Sequence, residues 1–346
     1  MRFPRLIIGL LGLSLLAAAC AGGAKPAAVA NTPSPTVSAT PTPSVTPVAA
    51  VTCPLTGVAP TAAQNVKRPA LAVKIDNINP ARPQAGIDHA DVVFEEQVEG
   101  GLTRLLAVFQ CDSVGRVGPV RSARTSDADM LALLHGSVFA YSGANPAALP
   151  PIRQHGDAVM ISYDHYGNVF HRDGSRPAPH NVFSSTQMML AAGVARRRGL
   201  TAPKPLFTYA PAATGGTKAT AVGMSWPQAS ASWHWNGKAW LRTQNGTADV
   251  LTDGKRVQAA NVVVMSIKLG STGLRDVLGN ASPLDITVGS GKVWVFRDGT
   301  VITGTWRRAK ISSPLQFVDA TGAPIALSPG RTWVELLPHQ TLPKIS

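Results

Sequence analysis

The motif with the clearest chemical potential is Gly118–Arg124, which places Arg121 and Arg124 just ahead of a predicted helix. Guanidinium groups bind carboxylates and phosphates through pairs of hydrogen bonds, and the N-terminus of a helix also favours anions. The sequence therefore predicts an anion-binding site here. Other polar residues in neighbouring loop motifs would complete this site if the loops converge: Asp76, Asn77, Arg82, Arg104, Arg176, His180 and Asn181.

Carboxylates in the same half of the chain offer a structural alternative. Arginine and acidic side chains of one domain often form ion pairs that serve only the fold. Pairing of the arginines therefore stays open beside the ligand-binding interpretation. The available partners are Asp76, Glu95, Glu96, Glu99 and Asp173.

A hydrolase is the alternative function that these carboxylates suggest. If one strand runs through Asp91–Val98 and beyond, its alternation places Glu95 and Glu99 on the same face. Two carboxylates in one cleft are the catalytic groups of glycoside hydrolysis, which would suit the processing of cell-wall glycans. Whether the protein is an enzyme stays open.

Other catalytic chemistry has weaker support. The sequence around Ser122 has no Gly-x-Ser-x-Gly elbow, although His180 is a candidate base. The spacing of His165, His171 and His180 matches no zinc-binding pattern. We therefore predict neither a metal site nor a cofactor.

The N-terminus has the three parts of a secretory signal. Two arginines precede the apolar stretch Leu6–Leu16, and Ala17–Ala19 supply the small residues that signal peptidases accept. Cys20 follows directly and resembles the cysteine of a bacterial lipobox, which becomes the lipidated N-terminus. We expect residues 1–19 to be removed and the mature protein to be anchored by lipid to the cell membrane, on its extracytoplasmic side.

Residues 20–52 are typical of a disordered tether. Ala21–Val51 contains six prolines, no aromatic residue and a single charged residue, Lys25. Such a composition buries too little apolar surface to offset the entropy of folding. Apart from Cys20, the only cysteines are Cys53 and Cys111, and the exported compartment is oxidising, so we expect a disulfide between them.

The chain is strongly basic, with a formal net charge of +13. Clusters such as Arg196–Arg198 and Arg307–Lys310 indicate attraction to polyanions. For an exported lipoprotein these partners would be lipid head groups or anionic wall polymers. Nucleic acid is not expected, because the basic clusters lack the interleaved aromatic residues of nucleic-acid modules.

The polar motifs lie between alternating strands and helices in the first half of the chain. Short apolar runs predict strands, and a helix is expected to begin after Ser126, a good N-cap residue. The predicted strands are Ala70–Asp76, Asp91–Val98, Leu105–Gln110 and Ser137–Tyr141, and the predicted helices are Asp127–His135 and Ser185–Arg198.

The second half reads as strands and turns. Trp233–Trp240 contains an Asn-Gly turn between alternating aromatic residues, which predicts a hairpin whose tryptophans pack in the core. Further strands are expected at Val262–Ile267, Leu284–Val288, Val293–Arg297, Val301–Trp306 and Thr332–Leu337. We predict a mixed α/β fold, with an α/β domain over residues 53–208 and a β-rich domain or layer over residues 209–346.

Several motifs together resemble the YerB-like lipoproteins, a family of unknown function. The resemblance covers nearly all of the predicted folded chain and implies a two-part fold, α/β followed by β, at the cell envelope. It implies no reaction. The motifs are Pro54–Gly57, Ile75–Asn77, Ala81–Gly86, Ala90–Arg104, Gly118–Arg124, Pro179–Asn181, Asn261–Val264, Val288–Trp306 and Gly330–Pro338.

These observations favour a membrane-tethered envelope protein that binds an anionic ligand, such as a cell-wall fragment, through Arg121, Arg124 and the neighbouring polar loops. The hydrolase is the first alternative. A scaffold for envelope proteins is the second, and it predicts an exposed apolar patch.

Overall fold

A computed structural model describes residues 51–211 and 215–346 of the chain. The predicted signal peptide, the predicted lipidation site Cys20 and most of the predicted tether lie outside the described residues. Within the described ranges, no helix is long and apolar enough to span a membrane.

The first half of the chain alternates strands and helices. Its elements are β1 (Ala70–Asp76), β2 (Val92–Gln97), β3 (Thr103–Phe109), α1 (Asp127–Ala132), β4 (Ser137–Tyr141), α2 (Leu149–His155), β5 (Ala158–Ser162), β6 (His171–Arg172), β7 (Val182–Phe183) and α3 (Thr186–Arg196).

The second half is built from strands. They are β8 (Thr217–Lys218), β9 (Ala221–Trp226), β10 (Ala229–Trp235), β11 (Trp240–Gln244), β12 (Thr247–Ala248), β13 (Gln258–Ala259), β14 (Asn261–Arg275), β15 (Ala281–Ile286), β16 (Gly289–Arg297), β17 (Thr300–Arg308), β18 (Gln316–Val318), β19 (Thr332–Pro338) and β20 (Lys344–Ile345).

Strands of both halves form one large sheet. Its order is β18-β17-β16-β14-β19-β2-β3-β1-β4-β5, with β15 paired to β14 and β8 paired to β17. β19 of the second half lies parallel to β2 of the first half, with Glu335 opposite Glu95. The described residues belong to one compact unit. The division into domains 53–208 and 209–346 stays a prediction, and the large sheet runs across it.

Several strands of the large sheet point in the same direction. β1, β2, β4, β5 and β19 are parallel to one another, so their carboxyl ends meet at one edge, which we call the carboxyl edge. The last residues of β1, β4 and β5, which lie at this edge, are Asp76, Tyr141 and Ser162. β14 runs parallel to β19, continues past the edge and there pairs with β15. We call this projecting hairpin, Lys268–Ile286, the arm.

Both faces of the large sheet are covered. α3 and a second sheet, in the order β12-β11-β10-β9-β20 with β13 on β11, pack on one face. α1 and α2 pack on the other face in the first half of the chain. A strand covered on both faces is apolar along its length, which explains the run Ala70–Ile75 and the complete burial of β1.

Most of the predicted elements are confirmed. The fold is mixed α/β, β1 and β4 have the predicted bounds, and α3 lies inside the predicted helix. Ser185 caps α3 by accepting a hydrogen bond from the Met188 backbone N–H at 3.1 Å. Trp235 pairs with Trp240 across the Asn-Gly turn, and the predicted packing of Trp233 and Trp240 in the core is confirmed by their burial.

Several elements escape prediction, α2 and β5 among them, and one expected cap is wrong. α2 begins with Leu-Pro-Pro. In the sequence this motif suggests an interruption of regular secondary structure, although proline is tolerated in the first turn of a helix. β5, which follows α2, also lacks a clear signal. The Ser126 side chain does not cap α1, because its hydroxyl oxygen instead accepts a hydrogen bond from the Asp285 backbone N–H at 3.0 Å.

A disulfide joins Cys53 to Cys111, as expected from the cysteine count, with a Cα–Cα distance of 5.8 Å. Cys111 follows β3, whose residue Phe109 pairs with Leu71 at the amino end of β1. The described chain therefore begins at the side of the sheet opposite the carboxyl edge.

Candidate functional site

Three arginines converge at the carboxyl edge. Arg104 stands at the start of the antiparallel strand β3, and Arg121 and Arg124 belong to the loop before α1. The loop is fixed between β1 and β4, because the Arg121 N–H donates to the Lys74 carbonyl at 2.8 Å and the Arg121 carbonyl accepts from the Ser142 N–H at 2.9 Å. The backbone thus holds the loop against the ends of two strands.

Two of the three guanidinium groups have a carboxylate partner. Arg121 Nε lies 3.0 Å from Asp76 Oδ2, and Arg124 Nη2 lies 2.7 Å from Glu99 Oε2. For these two residues the structural alternative, ion pairing within the first half, is what the structure shows. Their side chains remain partly exposed, 21% for Arg121 and 15% for Arg124.

Arg104 is different. Within the described ranges, no carboxylate lies within 4.0 Å of its guanidinium, which donates a hydrogen bond to the Ser122 carbonyl at 2.9 Å. Burial, with Arg124 and Arg121 nearby, lowers the pKa of Arg104 to about 9. The three arginines, which we call the arginine cluster, therefore hold one more positive charge than their two carboxylates neutralise.

His180 joins the cluster through Asp76. Its Nδ1 lies 2.7 Å from Asp76 Oδ2, the same oxygen that faces Arg121. Asp76 is almost fully buried at the carboxyl end of β1, so it positions one imidazole and one guanidinium at the rim of the edge.

Asn77 lies on the opposite face of the sheet. Its amide donates to Glu95 Oε1 at 3.0 Å and to Thr103 Oγ1 at 2.9 Å. Its own amide oxygen accepts a hydrogen bond from Gln84. Asn77 therefore belongs to a second, buried network and not to the arginine cluster.

Arg82, Arg176 and Asn181 also lie outside the arginine cluster. Arg176 donates to the carbonyls of Ala81 and Pro83. Arg82 donates to Asn79 and to a backbone carbonyl of β11, and Asn181 bonds within its own loop and to Arg172. The expected convergence is therefore wrong for these three residues, because Arg82 and Arg176 each tie one loop to another, and Asn181 is held within the segment that contains Arg172.

Glu95 is at the centre of the second network. Arg242 of β11 lies 2.5 Å from Glu95 and also contacts Asp249, and Glu335 accepts a hydrogen bond from Trp233 at 2.8 Å. Burial lowers the pKa of Arg242, but the surrounding carboxylates outweigh it and raise that pKa overall. Burial and Glu95 raise the pKa of Glu335 well above its ordinary value. This network joins the two sheets.

The predicted pairing of Glu95 with Glu99 on one face is wrong. β2 ends at Gln97, and Glu99 opens the tight turn that follows, so strand alternation stops before it. Among the described residues, the two side chains have no hydrogen-bond partner in common. The hydrolase alternative stays a prediction, and the complete burial of Glu95 argues against it.

A third network, which sequence reasoning missed, adjoins the arginine cluster. Lys74 Nζ contacts Glu96 and lies 2.7 Å from Asp127 Oδ1, with all three side chains fully buried. The other oxygen of Asp127 accepts from the Arg124 N–H at 2.7 Å. The sequence did contain one signal for this network, because Lys74 is a charged residue inside the apolar run of β1.

The arm contributes to this third network and to the surroundings of the arginine cluster. It contributes Asp285, which is fully buried, and Ser282, whose hydroxyl donates to Glu99. Burial raises the pKa of Asp285 to about 7 and that of Glu96 to about 8. The second half of the chain therefore supplies part of the surroundings of the arginine cluster.

The arrangement suits binding of an anion more than catalysis or metal binding. Ligands of open α/β sheets bind at the carboxyl ends of the strands, and the cluster offers guanidinium groups there. Within residues 51–211 and 215–346, no group of three or more histidine, cysteine or acidic side chains is arranged to hold a metal ion.

The fold and the site define a class of two-part proteins in which the second half completes a sheet begun by the first. Residues 55–200 match the family model described as "Protein of unknown function (DUF3048) N-terminal domain", and residues 221–334 match the model of its C-terminal domain. The chain belongs to this YerB-like family.

One relative is similar over most of both chains. The Bacillus subtilis (strain 168) protein named "Putative lipoprotein YerB" is 29% identical over 309 residues, which cover 85% of this chain and 88% of that protein. The crystal structure of the YerB protein from Bacillus subtilis has the same fold, with a TM-score of 0.72 and 24% identity, over 85% of this chain and 99% of that chain.

Proposed function

We propose that this protein is an envelope-anchored lipoprotein that binds an anionic ligand, a cell-wall polymer or fragment, through the arginine cluster. The observation that carries the proposal is Arg104, a nearly buried guanidinium that lies beside Arg121 and Arg124 and has no carboxylate within 4.0 Å in the part of the chain that the structure describes. An anion at this position would supply the missing negative charge.

The chemistry of the cluster fits a phosphate or a carboxylate. Burial makes a charge-assisted hydrogen bond stronger than it is in water. Arg121 and Arg124 keep part of their side chains exposed, so these two guanidinium groups are the part of the cluster that an anion from the solvent would meet first. Phosphate and carboxylate groups are the anions that wall polymers and peptides carry.

The lipid anchor is supported by the sequence and by the relative. Cys20 follows a signal-like segment, and the similar Bacillus subtilis protein is named as a lipoprotein. Cys53, which directly follows the predicted tether, lies at the side of the sheet opposite the carboxyl edge. A protein held at that side would direct the arginine cluster away from the membrane and toward the wall.

Binding to purified wall polymers tests the proposal. The chain without its predicted signal peptide is sedimented with the polymers, and inorganic phosphate is titrated separately by calorimetry. We expect the double substitution Arg121→Ala with Arg124→Ala to abolish both interactions.

A matched control separates the cluster from general basic charge. Arg307 and Lys310 are exposed, so Arg307→Ala with Lys310→Ala removes the same charge elsewhere and should leave binding unchanged. If the cluster variant folds, as judged by thermal denaturation, and still binds the wall polymers like the unchanged protein, the proposal is wrong.

The tip of the arm favours a second candidate function, a scaffold for an envelope protein. Val277 and Leu278 are exposed by 102% and 82%. Their turn is fixed, because Asp276 Oδ1 accepts hydrogen bonds from the N–H groups of Leu278 and Asn280. Cross-linking in cells should give a specific adduct that Val277→Ser with Leu278→Ser removes, and an adduct that persists in this variant would exclude the arm tip.

A further inference from the structure

The last strand of the large sheet, β5, has one open side. Among the strands of residues 51–211 and 215–346, it pairs only with β4, in parallel register with Ser137 opposite Ala158. The Ser137 N–H donates to the Asp157 carbonyl, and the Tyr163 N–H donates to the Tyr141 carbonyl. These bonds show that the backbone N–H and C=O groups of the odd-numbered residues of β5 point toward β4.

The even-numbered residues of β5 therefore direct their backbone groups outward. Among the described residues, the N–H and C=O groups of Ala158 and Met160 and the N–H of Ser162 have no hydrogen-bond partner. The Ser162 carbonyl is occupied by the Tyr166 N–H at 2.8 Å. The strand itself, Ala-Val-Met-Ile-Ser, carries neither the charge nor the proline that usually protects an open edge.

This open side forms the floor of a depression. An open cavity of about 430 Å³ runs along Ala158–Ser162, between α2 on one side and the end of α3 on the other. Tyr141 and Tyr166 line it with Leu149 and Met160. A groove of this shape holds an extended chain of a few residues.

The walls of the groove are basic. Arg153 of α2 and Arg196 of α3 line it, and neither has a carboxylate within 4.0 Å among the described residues. The Arg196 guanidinium lies 5.2 Å from the centre of the Tyr166 ring. Arg197 is engaged with Asp157 at 2.7 Å. Cations near a helix C-terminus also stabilise the helix, but that role does not require both side chains to line one groove.

We propose that β5 is a docking site for an extended peptide that carries carboxylates. The peptide adds to the sheet as a further strand by bonding to the free backbone groups of Ala158, Met160 and Ser162. Its carboxylates bind Arg153 and Arg196. This site is separate from the arginine cluster and does not depend on the ligand proposed for it.

Peptide titration followed by amide NMR tests the docking site. The probe is a short capped peptide of alternating valine and glutamate, added to the chain without its predicted signal peptide. We expect shifts and slowed hydrogen exchange at the amides of Ala158, Met160 and Ser162. A peptide with lysine in place of glutamate, and the first peptide with its backbone nitrogens methylated, should bind at least tenfold more weakly.

Variants of the arginines provide the matched comparison. Arg153→Ala with Arg196→Ala should weaken binding of the valine–glutamate peptide by about tenfold or more. Arg198→Ala, in the same basic run but outside the groove, should bind like the unchanged protein, as should Arg121→Ala with Arg124→Ala.

Three results would contradict the proposal that β5 is a docking site. One is equal binding of the methylated peptide, and another is unshifted Ala158 and Met160 amides in the presence of bound peptide. The third is protection of the same amides without peptide in a sedimenting dimer, because the edge would then pair with a second copy.

Discussion

Arg104 and its neighbours illustrate how a single charge decides between a structural and a binding role. Among the residues that the structure describes, Arg121 and Arg124 each face a carboxylate within 4.0 Å, and Arg104 does not. A guanidinium that is held beside two others costs stability while no anion is bound. Under the proposed function, a bound anion would offset this cost.

Substitution of Arg104 by glutamine should separate binding from stability. We expect Arg104→Gln to weaken phosphate binding by at least tenfold, since the charge without a partner is lost. The melting temperature should stay the same or rise, because repulsion from Arg121 and Arg124 ends. Calorimetry with phosphate and thermal denaturation check the two expectations. A large fall in melting temperature would show that Arg104 serves the fold.

Lys74, in contrast to Arg104, is expected to stabilise the fold. It is the cation of a fully buried network that contains Glu96, Asp127 and Asp285. We expect Lys74→Met to reduce the free energy of unfolding by about 3–5 kcal/mol, because it leaves buried carboxylates without their cation. Denaturant unfolding measures this loss. Lys67→Met, at an exposed position, should change the free energy of unfolding by less than about 0.5 kcal/mol.

At the scale of elements, the arm is held to the first half by groups that titrate near neutral pH. Asp285 of the arm and Glu96 of β2 have pKa values raised to about 7 and about 8, mainly by burial. Acids whose pKa is higher in the folded state bind more protons when folded. Their contribution to stability is complete below about pH 4 and is lost as the pH rises through about 7 to 8.

The arm should therefore loosen as the pH rises from 5.5 to 8.5. We expect faster hydrogen exchange in β15 at the higher pH, after correction for the intrinsic exchange rate, and a free energy of unfolding lower by on the order of 1–2 kcal/mol. Asp285→Asn, which is neutral at every pH, should flatten this dependence. Asp164→Asn at an exposed site should not. An equal pH dependence in the Asp285→Asn variant would contradict the assignment.

Elements with a local signal were predictable, and those defined by distant partners were not. The apolar run of β1 and the Asn236–Gly237 turn specify their conformation within a few residues. The contact between Arg242 and Glu95 joins positions 147 residues apart in the sequence. No local pattern encodes such a contact, which is why Glu95 read as a catalytic candidate.

The residues of the candidate site were likewise predictable only where the signal is local in the sequence. Arg121 and Arg124 were predictable as a pair because seven consecutive residues carry both. Arg104 joined them as expected, whereas Arg82 and Arg176 did not. Loop convergence depends on which carbonyls each arginine reaches, and the sequence does not specify those carbonyls.

At the scale of the whole molecule, the two halves share one sheet and two buried ionic networks. β19 of the second half pairs with β2, Arg242 contacts Glu95, and Asp285 adjoins Lys74. Removing either half would leave an open strand and buried charges without partners, which is strongly destabilising.

Separate expression of residues 53–208 and 209–346 tests this dependence. We expect neither fragment alone to give a dispersed NMR spectrum or a cooperative thermal transition, because β2 and β19 each lose a central neighbour in the sheet. Residues 53–346 should unfold in a single transition with coincident fluorescence and circular dichroism curves. Mixing the two fragments should restore the dispersed NMR spectrum and the cooperative thermal transition that neither fragment shows alone. A cooperative transition in residues 53–208 alone would mean that the first half is an independent domain, and that the shared sheet forms only after each half has folded.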